Sequence, residues 1–102
     1  MTHITVRYSA ASDLSELARL AALDSATPPR GPALIAEADS RMLAALPMGS
    51  GRPIADPFEP TSEIVALLEL RKAQLAAEAG ERRSVRDRVR SLLRPRPSQA
   101  RA

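Results

Sequence analysis

The chain contains no cysteine, a single histidine and only two aromatic residues, Tyr8 and Phe58. Without cysteine there is no disulfide to brace a small fold, and with no evident metal site the core has to supply the stability by itself. The lone histidine, His3, has neither neighbouring metal ligands nor triad partners, so it reads as an exposed bystander near a terminus. Long apolar runs are missing too. The longest, Met42 to Leu46, is stopped by Pro47 and falls far short of the roughly 20 residues that cross a bilayer. No basic-then-apolar leader ending in small residues opens the chain, which argues against secretion and gives the expectation of a cytoplasmic protein.

What is present is a normal apolar content, 44% over 102 residues, enough for one domain with a small aliphatic core. A folded part of this size buries only about 60–65% of its unfolded surface, so self-association is expected to add stability. Charge divides the sequence sharply. Residues 1–78 carry seven basic and ten acidic side chains, whereas residues 79–102 carry eight arginines against Glu81 and Asp87. The pI of about 10.5 therefore belongs to the C-terminal segment, and the body is mildly acidic.

Along the body, Ile4, Val6 and Tyr8 alternate with Thr5, Arg7 and Ser9, which predicts a strand with its dry side on the first set. Asp13 and Glu16 have capping-box spacing, and Leu14, Leu17, Ala18 and Ala21 mark a helix over 13–23. Pro28, Pro29, Gly31 and Pro32 then enforce a loop. Ala33 to Ala38 and Met42 to Leu46 read as a hairpin turning at Asp39 and Ser40, a weak pair for a primed two-residue turn. Neither segment alternates in polarity, so both faces need cover, from a second helix or from another subunit. That apolar hairpin is the motive for expecting a homodimer. Ile54 and Ala55 make a short strand. Pro60, Thr61, Ser62 and Glu63 open a second helix with a stripe at Ile64, Leu67, Leu68 and Leu75, and Gly80 is the expected stop.

The stretches ITVRYSAASDLSELARLAALDS (4–25) and ALIAEADSRMLAAL (33–46) resemble the first half of a GNAT-type N-acetyltransferase. That family commonly opens with a strand carrying an arginine, a short polar stretch with an aspartate, and a helix rich in leucine and alanine. Its next strands often hold an acidic residue before a tight turn, here Ile35 to Ser40 with Ser40 where glycine is frequent. The resemblance spans about half of the usual family domain. It implies a partial α/β domain of order β-α-β-β-(β)-α over residues 1–79, followed by a basic C-terminal helical tail over 80–102. In the family, a splayed strand and an Arg/Gln-x-x-Gly-x-Gly/Ala loop at a helix start hold acetyl-coenzyme A. The corresponding stretch here, GSGRPIADPFEPTSE (49–63), has no such loop. Gly49 and Gly51 precede the short strand, and Glu59 and Glu63 would repel a diphosphate. No cofactor is therefore expected, and the reading is a non-catalytic interaction or scaffold protein. The alternative is an acyl-coenzyme A-binding protein whose site is completed in an oligomer or by a partner subunit.

Few side chains are placed for chemistry. Asp13 with Glu16, and Glu59 with Glu63, could form acid/base pairs, but their spacing is that of helix-start electrostatics. Tyr8 and Phe58 are expected in the core, and Ser50 of GSG is a turn serine. The tail is different. Ser84 and Asp87 can open a helix of about 11 residues, with Val85, Val89, Leu92 and Leu93 on one arc and Pro95 and Pro97 ending it. Arg82, Arg83, Arg86, Arg88, Arg90 and Arg94 are the candidate contacts for an anionic partner. That partner is a membrane surface, an acidic protein or, with no aromatic residues to stack bases, sequence-tolerant nucleic acid. The plain alternative is a solubilising basic end that orders only on contact.

Overall fold

The structure, a computed structural model, describes residues 3–93, and the chain divides after Lys72 into two compact units. The order is β1 (Thr5–Tyr8), a 3-10 turn (Ala11–Asp13), α1 (Leu14–Leu23), β2 (Ala33–Ala38), β3 (Arg41–Pro47), β4 (Ile54–Ala55) and α2 (Ser62–Leu93). The four strands form one antiparallel sheet in the order β1-β2-β3-β4. This is the β-α-β-β-β-α arrangement expected for the body.

Register decides which residues share a face. Arg7, Ile35, Ala45 and Ile54 lie in one row across the sheet. The last three are buried with Met42 against Leu17, Leu20 and Ala21 of α1, which forms the aliphatic core. Strand alternation turns Leu34, Ala36, Ala44 and Leu46 to the opposite face, and all four are buried. Leu68 in the first turns of α2 is fully buried. One turn on, Lys72 Nζ donates to the carbonyls of Pro47 and Gly49, 2.8 Å each, at the end of β3. These turns of α2 cover the second face. Adjacent apolar residues in the hairpin are thus explained within one chain, and no bare hairpin surface is left as a motive for pairing.

The hairpin turn has positive φ at both Asp39 (52°) and Ser40 (62°), and Ala38 pairs with Arg41 across it, so the primed form is adopted without glycine. Between Ala36 and Glu37 the register shifts, leaving Leu43 of β3 as the extra residue of a bulge. The carbonyls there are taken by Arg19 Nη2, on Met42 at 3.1 Å, and by the Asp56 N–H, on Leu43 at 2.9 Å. α1 ends with Ser25 at φ 50°, its N–H on Ala22 and that of Ala26 on Ala21. This is a Schellman close with serine in the place that usually takes glycine.

Two expectations are corrected. β1 does not keep its Arg7 side in water: that side faces the start of α1, where Arg7 meets two carboxylates, while Tyr8 is 53% exposed at the end of an edge strand. The second helix does not stop at Gly80 but continues to Leu93, and the separate tail helix merges with it. The residues on either side, Ala76 to Ala79 and Glu81 to Arg83, are strong helix formers, with no proline before Pro95 to force an end. A Cβ added at Gly80 meets nothing within 4 Å. Gly80→Ala is accordingly expected to stabilise the helix by about 0.5–1 kcal/mol, read as slower amide exchange over residues 76–84.

Candidate functional site

The resemblance to acetyltransferases would put a pyrophosphate cradle at the start of α2, and the two amides of the turn just before that helix are already committed. Pro57 and Pro60 have no N–H. The Phe58 N–H donates to Asp56 Oδ1 at 2.9 Å, and the Glu59 N–H donates to the Asp56 carbonyl at 3.3 Å. The Asp56 side chain is fully buried, and its Oδ2 accepts from Arg41 Nη2 at 3.0 Å. A carboxylate of the chain itself therefore occupies the turn before the helix, and Glu63 adds a second in the first helical turn. The turn binds the hairpin to α2 and offers an anion repulsion at close range.

Of the six arginines singled out for an anionic partner, Arg82, Arg83, Arg86, Arg88 and Arg90 lie exposed on α2, and Arg94 lies outside the described residues. They belong to the second unit, where residues 81–93 are all exposed, including Val85, Val89, Leu92 and Leu93. By the 3.6-residue period those four apolar side chains form one stripe. Arg82 falls within its arc, Arg86 and Arg88 flank it about 20° and about 40° from its edges, and Arg90 and Arg83 lie about 60° and about 80° beyond. Only weak local contacts restrain them: Arg82 to Glu78 at 3.6 Å and Arg88 Nη2 to Ser84 Oγ at 3.3 Å. No helix among the described residues is long and apolar enough to cross a membrane.

The strongest charged cluster is one that the sequence did not disclose. Arg7 grips Asp13 with Nη1 and Nη2 (2.8 and 2.9 Å) and Glu37 with Nε and Nη2 (3.0 and 3.2 Å). Asp13 Oδ2 also accepts the Ala10 N–H at 2.7 Å, closing the 3-10 turn. The one available signal was a positive and a negative side chain on the same face of the paired strands β1 and β2. Both carboxylates raise the Arg7 pKa, and Arg7 first and the Ala10 N–H second hold Asp13 down to about 2. Because the folded value lies below the unfolded one, this stabilisation is complete above about pH 4 and is lost as pH falls toward 2. Asp13→Asn is expected to cost on the order of 1–2 kcal/mol at pH 7, discounted because Arg7 is one-third exposed. It should also flatten the pH 4-to-2 limb of an acid-unfolding curve followed by circular dichroism.

The remaining candidates are dispersed. His3, Ser50, Glu59 and Glu63 are exposed at separate places, and Glu16 pairs with Arg19 on the surface of α1. Phe58, expected in the core, is 79% exposed because its backbone, and not its ring, is what the Asp56 turn holds. No protein-family model matches this chain, nor does any curated protein or any solved structure.

Proposed function

We propose that this chain is a non-catalytic interaction module, related to the opening half of a GNAT-type acetyltransferase, whose basic helix adsorbs to an anionic membrane surface from the cytoplasmic side. The observation that carries this reading is the exposed stripe of Val85, Val89, Leu92 and Leu93, flanked by Arg86 and Arg88 with Arg82 one turn before it. An apolar strip of that kind enters the headgroup boundary while the guanidiniums stay at phosphate level. Nucleic acid needs only the charge and leaves the apolar strip in water, and no aromatic residue of this segment is available to stack a base. The relation to acetyltransferases is supported by the element order, and the non-catalytic role by the carboxylates of Asp56 and Glu63 at the start of α2. If copies of the chain pair, the same stripe is the surface proposed for it, and a concentration-independent monomer mass in light scattering would remove that part.

The test compares full-length protein on vesicles of phosphatidylserine and phosphatidylcholine, on vesicles of phosphatidylcholine alone, and on duplex DNA. Retention is expected on the first, little on the second, and DNA binding that disappears at lower salt than vesicle binding does. Equal retention on neutral and anionic vesicles, or DNA binding that outlasts vesicle binding in salt, would overturn it. Calorimetry with acetyl-coenzyme A is the matching check on the non-catalytic role, since saturable binding would restore the enzyme reading.

A further inference from the structure

At the opposite end of β4 from the Asp56 turn, the loop between α1 and β2 and the loop between β3 and β4 line an open cavity of about 670 Å³. Its lining includes Arg30 and Arg52 and no carboxylate at all. Elsewhere in the first unit every arginine is engaged: Arg7, Arg19 and Arg41 hold carboxylates, and Arg71 also has a partner. Arg30 and Arg52 have no hydrogen bond or ion pair to any described residue, and neither have the hydroxyls of Ser25, Thr27 and Ser50 that share the lining. Two residues with unspent guanidiniums and three with unspent hydroxyls thus line one cavity in a body that is otherwise mildly acidic.

The walls are held in place. The Met48 N–H donates to the Pro32 carbonyl at 2.9 Å, tying one loop to the other, and Lys72 clamps the carbonyls of Pro47 and Gly49. Pro28, Pro29, Pro32 and Pro47 stiffen the lining. Gly51, at φ 129°, passes so close to Pro47 that an added Cβ would sit 3.2 Å from its Cγ. Braced loops spare a ligand the cost of ordering their backbone, so that the two unpartnered guanidiniums are what it has to fix. Ser25, one of the lining residues, occupies its left-handed position without glycine, at a cost in backbone energy.

We infer that this cavity binds a small phosphomonoester, with its phosphoryl group between Arg30 and Arg52 and a compact apolar body against the prolines. A phosphomonoester is close to a dianion at neutral pH and presents three terminal oxygens, matching two guanidiniums that each give paired donors plus the three hydroxyls. A carboxylate has half the charge and one oxygen fewer. A phosphodiester, the form found in lipid headgroups and nucleic-acid backbones, is a monoanion with two terminal oxygens. The volume lies within the usual range of small-molecule sites, roughly 300–1,000 Å³, and is larger than a phosphate needs by itself.

The experiment is a titration of full-length, isotope-labelled protein with phenyl phosphate, dimethyl phosphate and acetate, read by amide and arginine Nε shifts. Phenyl phosphate is expected to give saturable shifts over residues 25–32 and 49–52, and the diester and acetate to bind at least tenfold more weakly. Arg30→Gln with Arg52→Gln should weaken the monoester at least tenfold. Arg30→Lys with Arg52→Lys, which keeps charge but loses the paired donors, should fall between. Unchanged thermal unfolding verifies the fold of each variant, as both positions are exposed. Shifts confined to residues 82–90, equal affinity for monoester and diester, or undiminished binding by the double glutamine variant would each overturn the inference.

Discussion

Glutamine at Arg82, Arg86 and Arg88 together is expected to weaken adsorption to phosphatidylserine-containing vesicles about 100-fold, whereas glutamine at Arg83 and Arg90 costs less than about tenfold. A basic side chain near an anionic leaflet contributes about 1 kcal/mol, and the field decays within a Debye length of about 8–10 Å. A helix lying with Val85, Val89, Leu92 and Leu93 inserted brings Arg82, Arg86 and Arg88 closest to the phosphates and turns Arg83, and to a lesser degree Arg90, toward water. Three contacts of about 1 kcal/mol multiply to roughly two decades of affinity. Glutamine keeps the helix, since its propensity is close to that of arginine. Sedimentation with vesicles at fixed salt measures both variants. A loss that follows the number of arginines removed, whichever face they occupy, would mean attraction to a polyanion without orientation and would defeat the membrane reading.

Much of the body was legible because its signals are local and periodic. The hairpin of Ala33–Ala38 and Arg41–Pro47 lay between proline punctuation, and its lack of polar alternation correctly announced cover on both faces. The short strand Ile54–Ala55 and the opening of α2 after Pro60 followed from turn and capping residues. Gly80 misled because a single glycine costs only about 1 kcal/mol inside a helix of alanine, glutamate and arginine, too little to end it. Tyr8 misled because alternation fixes which residues share a face but does not say how far cover reaches toward the end of an edge strand. The ion pairs were hidden for a further reason. Arg7 with Glu37 is 30 residues apart and Arg41 with Asp56 is 15 apart, and only strand register brings such partners together. The cavity of Arg30 and Arg52 is of the same kind, since two polar loops in sequence give no hint that they close on one another.

Arg41 offers the sharpest case of a residue whose exposure conceals its importance. Its side chain is half exposed, and substitutions at such positions ordinarily change stability by no more than about 0.5 kcal/mol. Its guanidinium, however, is the counter-charge of Asp56, whose side chain is fully buried. Arg41→Ala strands that carboxylate with the Phe58 N–H as its remaining donor, and breaking a pair of this kind costs about 3 kcal/mol or more. Asp56→Ala is expected to cost a similar amount, about 3 kcal/mol, through the unpaired Phe58 N–H and the void left in the turn. The double variant should be scarcely worse than Asp56→Ala, because Arg41 without its partner simply extends into water. A body of this size has a total stability of roughly 4–10 kcal/mol, so each single change removes a large share and lowers the melting temperature by on the order of 15 °C. Urea unfolding of the two single variants and the double variant gives the coupling energy directly, expected at about 2–3 kcal/mol. Arg41→Ala with a midpoint indistinguishable from the parent would show that Asp56 does not depend on that guanidinium, and that the turn before α2 is held by its backbone alone.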